Sequence, residues 1–278
     1  MQHNLLLDML CSNVKEIYKQ KEYIWVNDIL TEKDKEILEK EASEESPFDK
    51  LNLKKDMYNK FLNKKATPIV KKTEHARIVI LCESESIDEF YPWNTWGRMF
   101  QWLGMPKDSN IWQIYIYASH VKRILPTQGP IDASHLNGGY TYPCKADCIV
   151  VYRYEEATRV MIHELLHASC TDDFSKPVEQ REASTELWAE LFLVALLSKG
   201  NQKLAEKLWR IQDHYIQDLN STVYNYHDTK KPEDYGARYT ILRTPVLYDL
   251  GFSHDNKYTP KKISISRFTS PDLDKYLV

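Results

Sequence analysis

Hydrophobic residues recur at helical spacing in the first 70 residues of the chain. Near its start they lie three or four positions apart, at Leu6, Met9, Leu10, Val14 and Ile17. Thr31 and Asp34 have the spacing of a capping box, which predicts a second helix that reaches Lys40. This segment contains no candidate chemistry, so we interpret residues 1–70 as a helical N-terminal region that precedes a main domain over residues 71–278.

After residue 70 the pattern alternates between apolar strands and amphipathic helices. Strands are predicted at residues 77–82, 111–118, 121–125, 135–142 and 148–152. Helices are predicted at residues 86–103, 155–170, 178–198 and 201–220, with a last one from about Glu233 to Leu250 that breaks or kinks at Pro245. The strand around Gly138 and Gly139 is expected at an exposed edge, because paired glycines let another backbone approach closely. The expected fold is α/β (α+β), with a helical C-terminal half.

The net charge and the cysteine content limit the partners and the cellular compartment that are expected. The 37 basic and 40 acidic residues leave a net charge of −3, which favours neither a nucleic acid nor a membrane as partner. No membrane span and no secretory signal are expected. The five cysteines form no regular framework, so reduced thiols in a cytoplasm-like compartment are expected. Cys144 and Cys148 could be a metal-binding pair, although no second pair accompanies them.

The clearest chemical motif is His163-Glu164-Leu-Leu-His167, an HExxH sequence inside an apolar predicted helix. Residues four positions apart share one face of a helix, so both imidazoles can reach one ion while Glu164 lies beside them. Unpaired polar groups are costly in apolar surroundings, and a metal would supply the missing partner. A catalytic zinc site uses three protein ligands and leaves one position to water.

A third ligand is available on the next predicted helix, where Glu182, Glu186 and Glu190 lie four positions apart. Eighteen residues separate His167 from Glu186, and this HExxH-x18-E pattern resembles the gluzincins, the zinc peptidases that include thermolysin-like enzymes and metallo-aminopeptidases. The resemblance implies a zincin-like fold in which a small twisted sheet lies over the HExxH helix. It implies Zn²⁺ bound by His163, His167 and Glu186, and Glu190 as the carboxylate that orients His163. Glu182 is the rival ligand, and Glu156 is another acid that could orient a ligand.

The resemblance continues upstream of the HExxH motif. Aminopeptidases place a glycine-containing edge strand and a strand ending in Tyr-Arg before the zinc helix, as residues 137–140 and 149–153 do here. It implies that the edge strand binds substrate through four residues: Asn137, Gly138, Gly139 and Tyr140. Gluzincins also stabilise the oxyanion with a later Tyr or His, for which Tyr239 and Tyr235 are the candidates. The alternates are Tyr224, Tyr226 and His227. The aminopeptidase Gly-x-Met-x-Asn signature is absent, so specificity for a free amino terminus is not expected.

The expected function is therefore a zinc-dependent peptidase that acts on a peptide or protein, with Glu164 as general base. The NGGxT, YRxEE and HELLH segments are also similar to uncharacterised zincin-like proteins of large DNA viruses, which implies a cytoplasmic or virion-associated location. The alternative function is a zinc-stabilised binding or virion-associated protein without turnover. Glu164 argues against that alternative, because a purely structural zinc site needs no general base.

Overall fold

A computed structural model describes residues 4–83, 91–107, 109, 111–127, 129–227 and 235–277. The chain forms two compact units. The sheet unit comprises Lys21–Lys122 and Asn137–Thr171, and the helical unit comprises Met1–Gln20, Arg123–Leu136 and Asp172–Val278. The predicted boundary near residue 70 does not separate the two units, because that residue lies inside a strand of the sheet unit.

The helices are named in chain order: α1 Leu5–Lys19, α2 Glu32–Ser43, α3 Leu53–Leu62, α4 Trp93–Leu103, α5 Ala133–Leu136, α6 Ala157–Ala168, α7 Val178–Leu197, α8 Gln202–Tyr226 and α9 Tyr235–Asp249. A short 3-10 helix follows at Pro271–Tyr276. The capping box at Thr31 and Asp34 is confirmed. Pro245 lies inside α9, which continues to Asp249, so the helix is not broken there and the alternative of a kink stays a prediction. The predicted starts at Ser86 and Glu233 fall outside the described residues.

The strands form one mixed sheet: β1 Val26–Asn27, β2 Thr67–Lys72, β3 Ala76–Cys82, β4 Trp112–Tyr117, β5 Gly139–Thr141 and β6 Ile149–Val151. Their order across the sheet is β1-β2-β3-β4-β6-β5. The β3–β4 and β4–β6 pairs are parallel, and the other pairs are antiparallel. Within the described residues β5 therefore pairs on one side only, as predicted for an edge strand. The strand is shorter than the predicted segment 135–142, because His135 and Leu136 belong to α5.

Side chains alternate between the two faces of this sheet. Val79, Tyr115 and Val150 pack on one face against Leu38 of α2 and Met57 of α3. On the other face α6 contacts β5 and β6. The indole Nε1 of Trp96 in α4 donates to Thr158 Oγ1 of α6 at 2.8 Å, and both side chains are buried. The sheet unit thus has helices on both faces, and the HExxH helix belongs to the layer that also contains α4.

Two strand predictions need correction. The segment 121–125 forms only an isolated bridge between Ile124 and Ile265, because the carbonyls of Val121 and Lys122 accept hydrogen bonds from the Arg153 guanidinium. The strand β2 lies in the region that was predicted to be helical. It pairs with β3 along its whole length, so tertiary pairing overrides the helical composition of that region.

The helical unit has its own core. It is formed by apolar residues from α7, α8, α9 and the flanking segments: Leu125, Ile131, Leu136, Ala183, Tyr215, Leu219, Val223, Ala237, Tyr239 and Phe268. Among the described residues, no helix has both the length and the apolar character that crossing a membrane would require.

The cysteines depart from the expectation of five reduced thiols. Cys144 and Cys170 form a disulfide, while Cys11, Cys82 and Cys148 are free. Cys144 is therefore not available to form a metal-binding pair with Cys148. The expectation failed because the partner of Cys144 lies 26 residues away rather than at the C-x3-C spacing.

Candidate metal centre

All three chemical residues of the HExxH motif lie on α6, whose twelve residues are all buried. The Nε2 atoms of His163 and His167 are 3.0 Å apart, and the two ring centroids are separated by 4.6 Å. The spacing of four residues therefore brings one nitrogen of each imidazole close to the other. The two side chains converge on one point at the surface of α6.

The convergence of these nitrogens fits a metal ion. A separation of 3.0 Å is below twice the usual zinc–nitrogen distance of about 2.0–2.1 Å, so both Nε2 atoms can bind one ion. Without an ion, one imidazole must donate an Nε2–H to the lone pair of the other. With an ion, both lone pairs face the cation and neither ring need carry a proton at Nε2. The donor set is nitrogen-rich and buried, which suits zinc.

Glu164 extends toward the edge strand. Its Cγ would lie 3.3 Å from a Cβ at position 139, so the glutamate passes directly over Gly139 of β5. The same Cβ would meet Val160 Cγ1 at 2.6 Å and the Val150 carbonyl oxygen at 2.7 Å. Only glycine permits this approach of β5 to α6. What approaches Gly139 from α6 is side chains, so the predicted approach of another backbone at the glycine pair stays a prediction.

The register of β5 decides which of its main-chain groups are available. The amide of Tyr152 donates to the Gly138 carbonyl at 2.8 Å, and Tyr140 is paired with Val150. Hydrogen-bonded pairs alternate along an antiparallel ladder, so the main-chain groups of Gly139 and Thr141 point away from β6. Asn137 precedes the strand, and its carbonyl accepts from Arg153 Nε at 2.9 Å. Within the described chain, an extended ligand would meet the open edge at residues 139 and 141.

The Tyr140 side chain lies on the opposite face of the sheet. Its hydroxyl donates to Glu41 Oε2 at 2.5 Å and accepts from Lys54 Nζ at 2.7 Å. Burial and the Glu41 carboxylate raise the pKa of the Tyr140 phenol well above its usual range, and burial lowers the pKa of Lys54. Sequence analysis missed Glu41 and Lys54, because no local pattern links residues from α2 and α3 to β5. The main-chain groups of Tyr140 face β6, where this residue pairs with Val150, and its side chain anchors the strand on the opposite face.

The candidate carboxylates lie on α7 of the helical unit. Glu186 and Glu190 are buried, and Glu182 is half-buried. Glu190 accepts a hydrogen bond from Arg243 of α9, and both side chains are fully buried. This pair was not predicted from the sequence, although the position of Arg243 within the apolar run Ile-Leu-Arg-Thr-Pro-Val was a signal of burial. The role of Glu190 behind His163 stays a prediction.

The predicted oxyanion donors lie near the C-terminal end of the chain. Tyr239 is buried in the helical core and stacks on Phe268, with ring centroids 5.7 Å apart and planes at 11°. Tyr235 is the first residue of α9. Tyr224 and Tyr226 are exposed near the end of α8. Their proposed role in catalysis stays a prediction.

No known protein family, curated protein or solved structure matches this chain.

Proposed function

We propose that the chain is a zinc-dependent peptidase with a zincin-like sheet unit. The observation that supports the proposal most is the convergence of His163 and His167 on α6, with Glu164 beside an edge strand that, among the residues the structure describes, pairs on one side only. Two imidazoles, a nearby carboxylate and such a strand edge are the parts that metal-assisted peptide hydrolysis needs.

The third ligand is proposed to be a carboxylate of α7. The x18 spacing after His167 favours Glu186, which is also buried. Glu182, one helical turn earlier on the same face of α7, is the alternative. The two glutamates are one helical turn apart, so a variant at each position separates them.

Zinc, when bound, supplies Lewis acidity that makes water more acidic and polarises the scissile carbonyl. Glu164 is proposed to take the proton from the attacking water and to pass it to the leaving amine. The outward main-chain groups of Gly139 and Thr141 would hold an extended peptide by strand addition. A phenol from Tyr239 or Tyr235 would donate to the oxyanion, and Glu190 with Arg243 would support the ligands from behind.

The proposal is tested by measuring zinc content and hydrolysis together. We expect about one zinc per chain, and cleavage of a mixed library of unmodified peptides that stops with a chelator and returns with added zinc. Peptide products identified by mass spectrometry would also define the bond that is cut. No zinc after reconstitution would refute the metal centre. Bound zinc without cleavage of any library peptide would favour the zinc-stabilised binding protein instead.

A further inference from the structure

The disulfide between Cys144 and Cys170 joins two parts of the candidate site within the sheet unit. Cys144 lies in the turn three residues after Thr141, the last residue of β5. Cys170 lies two residues after the end of α6 at Ala168. The cross-link therefore ties the edge strand to the end of the HExxH helix.

The backbone around this bond centres on the second histidine of the motif. The amides of Cys144 and Cys170 both donate to the His167 carbonyl, each at 3.1 Å. Helix α6 ends in a Schellman motif, in which Thr171 N bonds to Leu166 O at 3.4 Å and Cys170 occupies the left-handed position. The carbonyl of His167 is thus held by both halves of the disulfide.

Both cysteines have left-handed backbone angles, with φ of 63° at Cys144 and 60° at Cys170. Residues with a Cβ rarely adopt this conformation, and glycine is the usual residue at the end of a Schellman motif. Neither turn is one that a cysteine prefers by itself. We therefore assign cysteine at these two positions to the cross-link, and its loss would free both turns to relax.

The disulfide is accessible from outside. Cys170 is exposed and Cys144 is half-buried, and the bond adjoins a pocket of about 130 Å³ that is lined by Leu103, Met105, Trp112 and other residues of the sheet unit. The other cysteines differ: Cys11 and Cys82 are buried, and burial raises the pKa of Cys148 to about 12. A soluble thiol would meet Cys170 first.

We propose that Cys144–Cys170 is a thiol–disulfide exchange site, at which a dithiol reductant releases the end of α6 from the turn after β5 and weakens metal binding at His167. A thiolate of the reductant attacks Sγ of Cys170, the more exposed of the two cysteines. The Cys144–Cys170 bond breaks, and its electron pair leaves on Cys144 Sγ, which then takes a proton. The second thiolate of the reductant displaces Cys170 as a thiol and closes the disulfide of the reductant. The predicted effect on zinc rests on the proposed function.

The first measurement counts thiols and needs no metal. Denatured protein should take up three iodoacetamide groups before treatment with dithiothreitol and five after it, as mass spectrometry would show. Five groups before reduction would overturn the proposal. Amide exchange should also be faster at Cys144 and Cys170 in the folded, reduced protein, because both amides bond to the His167 carbonyl. Unchanged amide exchange would refute the proposed release of α6 from the turn after β5, even if no zinc binds.

The second measurement compares zinc affinity by competition with a chromogenic chelator. Protein that is reduced, alkylated and freed of reductant should bind zinc roughly tenfold more weakly than oxidised protein, as for losses behind metal ligands. Cys144→Ser should match the reduced protein and no longer respond to reductant, whereas the control Cys148→Ser should respond like wild type. Cys170→Gly also removes the disulfide, but glycine adopts the left-handed backbone of this turn easily. This variant therefore separates loss of the disulfide from misfolding of the turn. Equal affinity in all these proteins would refute the inference, whereas no zinc in oxidised protein would refute the proposed function.

Discussion

Replacing Gly139 with alanine tests whether β5 must approach α6 as closely as the structure indicates. The added Cβ would lie 2.6 Å from Val160 Cγ1 and 2.7 Å from the Val150 carbonyl oxygen, where ordinary contact begins at 3.4 Å. Relief at Val160 requires a shift of about 0.8 Å. A rotamer change at Val160 relieves one contact only, because the other partner is backbone in the paired strand. The strand itself must move.

Overpacking of this kind destabilises a protein by typically 1–3 kcal/mol. For Gly139→Ala we expect about 2 kcal/mol, which lowers the Tm by roughly 3–4 °C in a protein of this size. Turnover should fall by a larger factor than zinc affinity, because Glu164 Cγ, at 3.3 Å, lies nearer to the new methyl group than either histidine does. Calorimetry and a zinc competition assay give the two readouts.

A matched control and a double variant make the test specific. Thr141→Ala changes the same strand, but its hydroxyl has only a long 3.5 Å bond to the Cys148 carbonyl, so the Tm should change little. Val160→Ala in the Gly139→Ala background removes the nearest clash and should restore part of the Tm, relative to Val160→Ala alone. An unchanged Tm in Gly139→Ala, or a double variant whose losses simply add, would refute the close approach of β5 to α6.

Three further predictions concern Glu164 as the general base, the choice of the third ligand, and the ion pair between Asp28 and Arg77. Glu164→Gln should keep zinc but lose most peptide hydrolysis, and loss of the metal instead would show that Glu164 is a ligand. Glu186→Ala should weaken zinc binding far more than Glu182→Ala in the chelator competition assay, and the reverse order would overturn the x18 assignment. Hydrogen bonding from Arg77 lowers the pKa of Asp28 below its ordinary value of 3.8. The ionised carboxylate therefore stabilises the fold above pH 3.8, and this stabilisation is lost as the pH falls through the lower pKa of the folded state. Asp28→Asn should therefore lose about 1 kcal/mol in urea unfolding at pH 7 and much less in acid, and an equal loss at both pH values would contradict it.

The features that sequence analysis predicted well depend on local spacing. His163 and His167 lie four residues apart, and a helix alone brings their nitrogens together. The edge position of β5 was also predictable, because glycine within a strand often marks a place where another backbone approaches closely. The predicted ends of the helices were less accurate. Helix α8 ends at Tyr226 rather than at the predicted Asn220, since the apolar pattern weakens before the helix ends.

The features that it missed depend on residues far apart in the chain. Residues 1–20 belong to the helical unit and residues 21–70 to the sheet unit, although both segments have the same lysine-rich helical pattern. The Cys144–Cys170 bond and the Glu190–Arg243 pair likewise join separate elements. A spacing rule finds partners within one helix or turn, and it carries no information about which distant element packs beside it.

Tyr140 shows how both kinds of information combine in β5. The resemblance to aminopeptidases grouped it with Gly139 as a substrate-binding residue, but consecutive residues of a strand point to opposite faces. Gly139 faces α6, and the Tyr140 side chain bonds to Glu41 of α2 and Lys54 of α3. The strand is therefore held from one face by a buried hydrogen-bond network and approached from the other by Glu164. Helices α2 and α3 therefore help to position β5, although neither of them carries a candidate site residue.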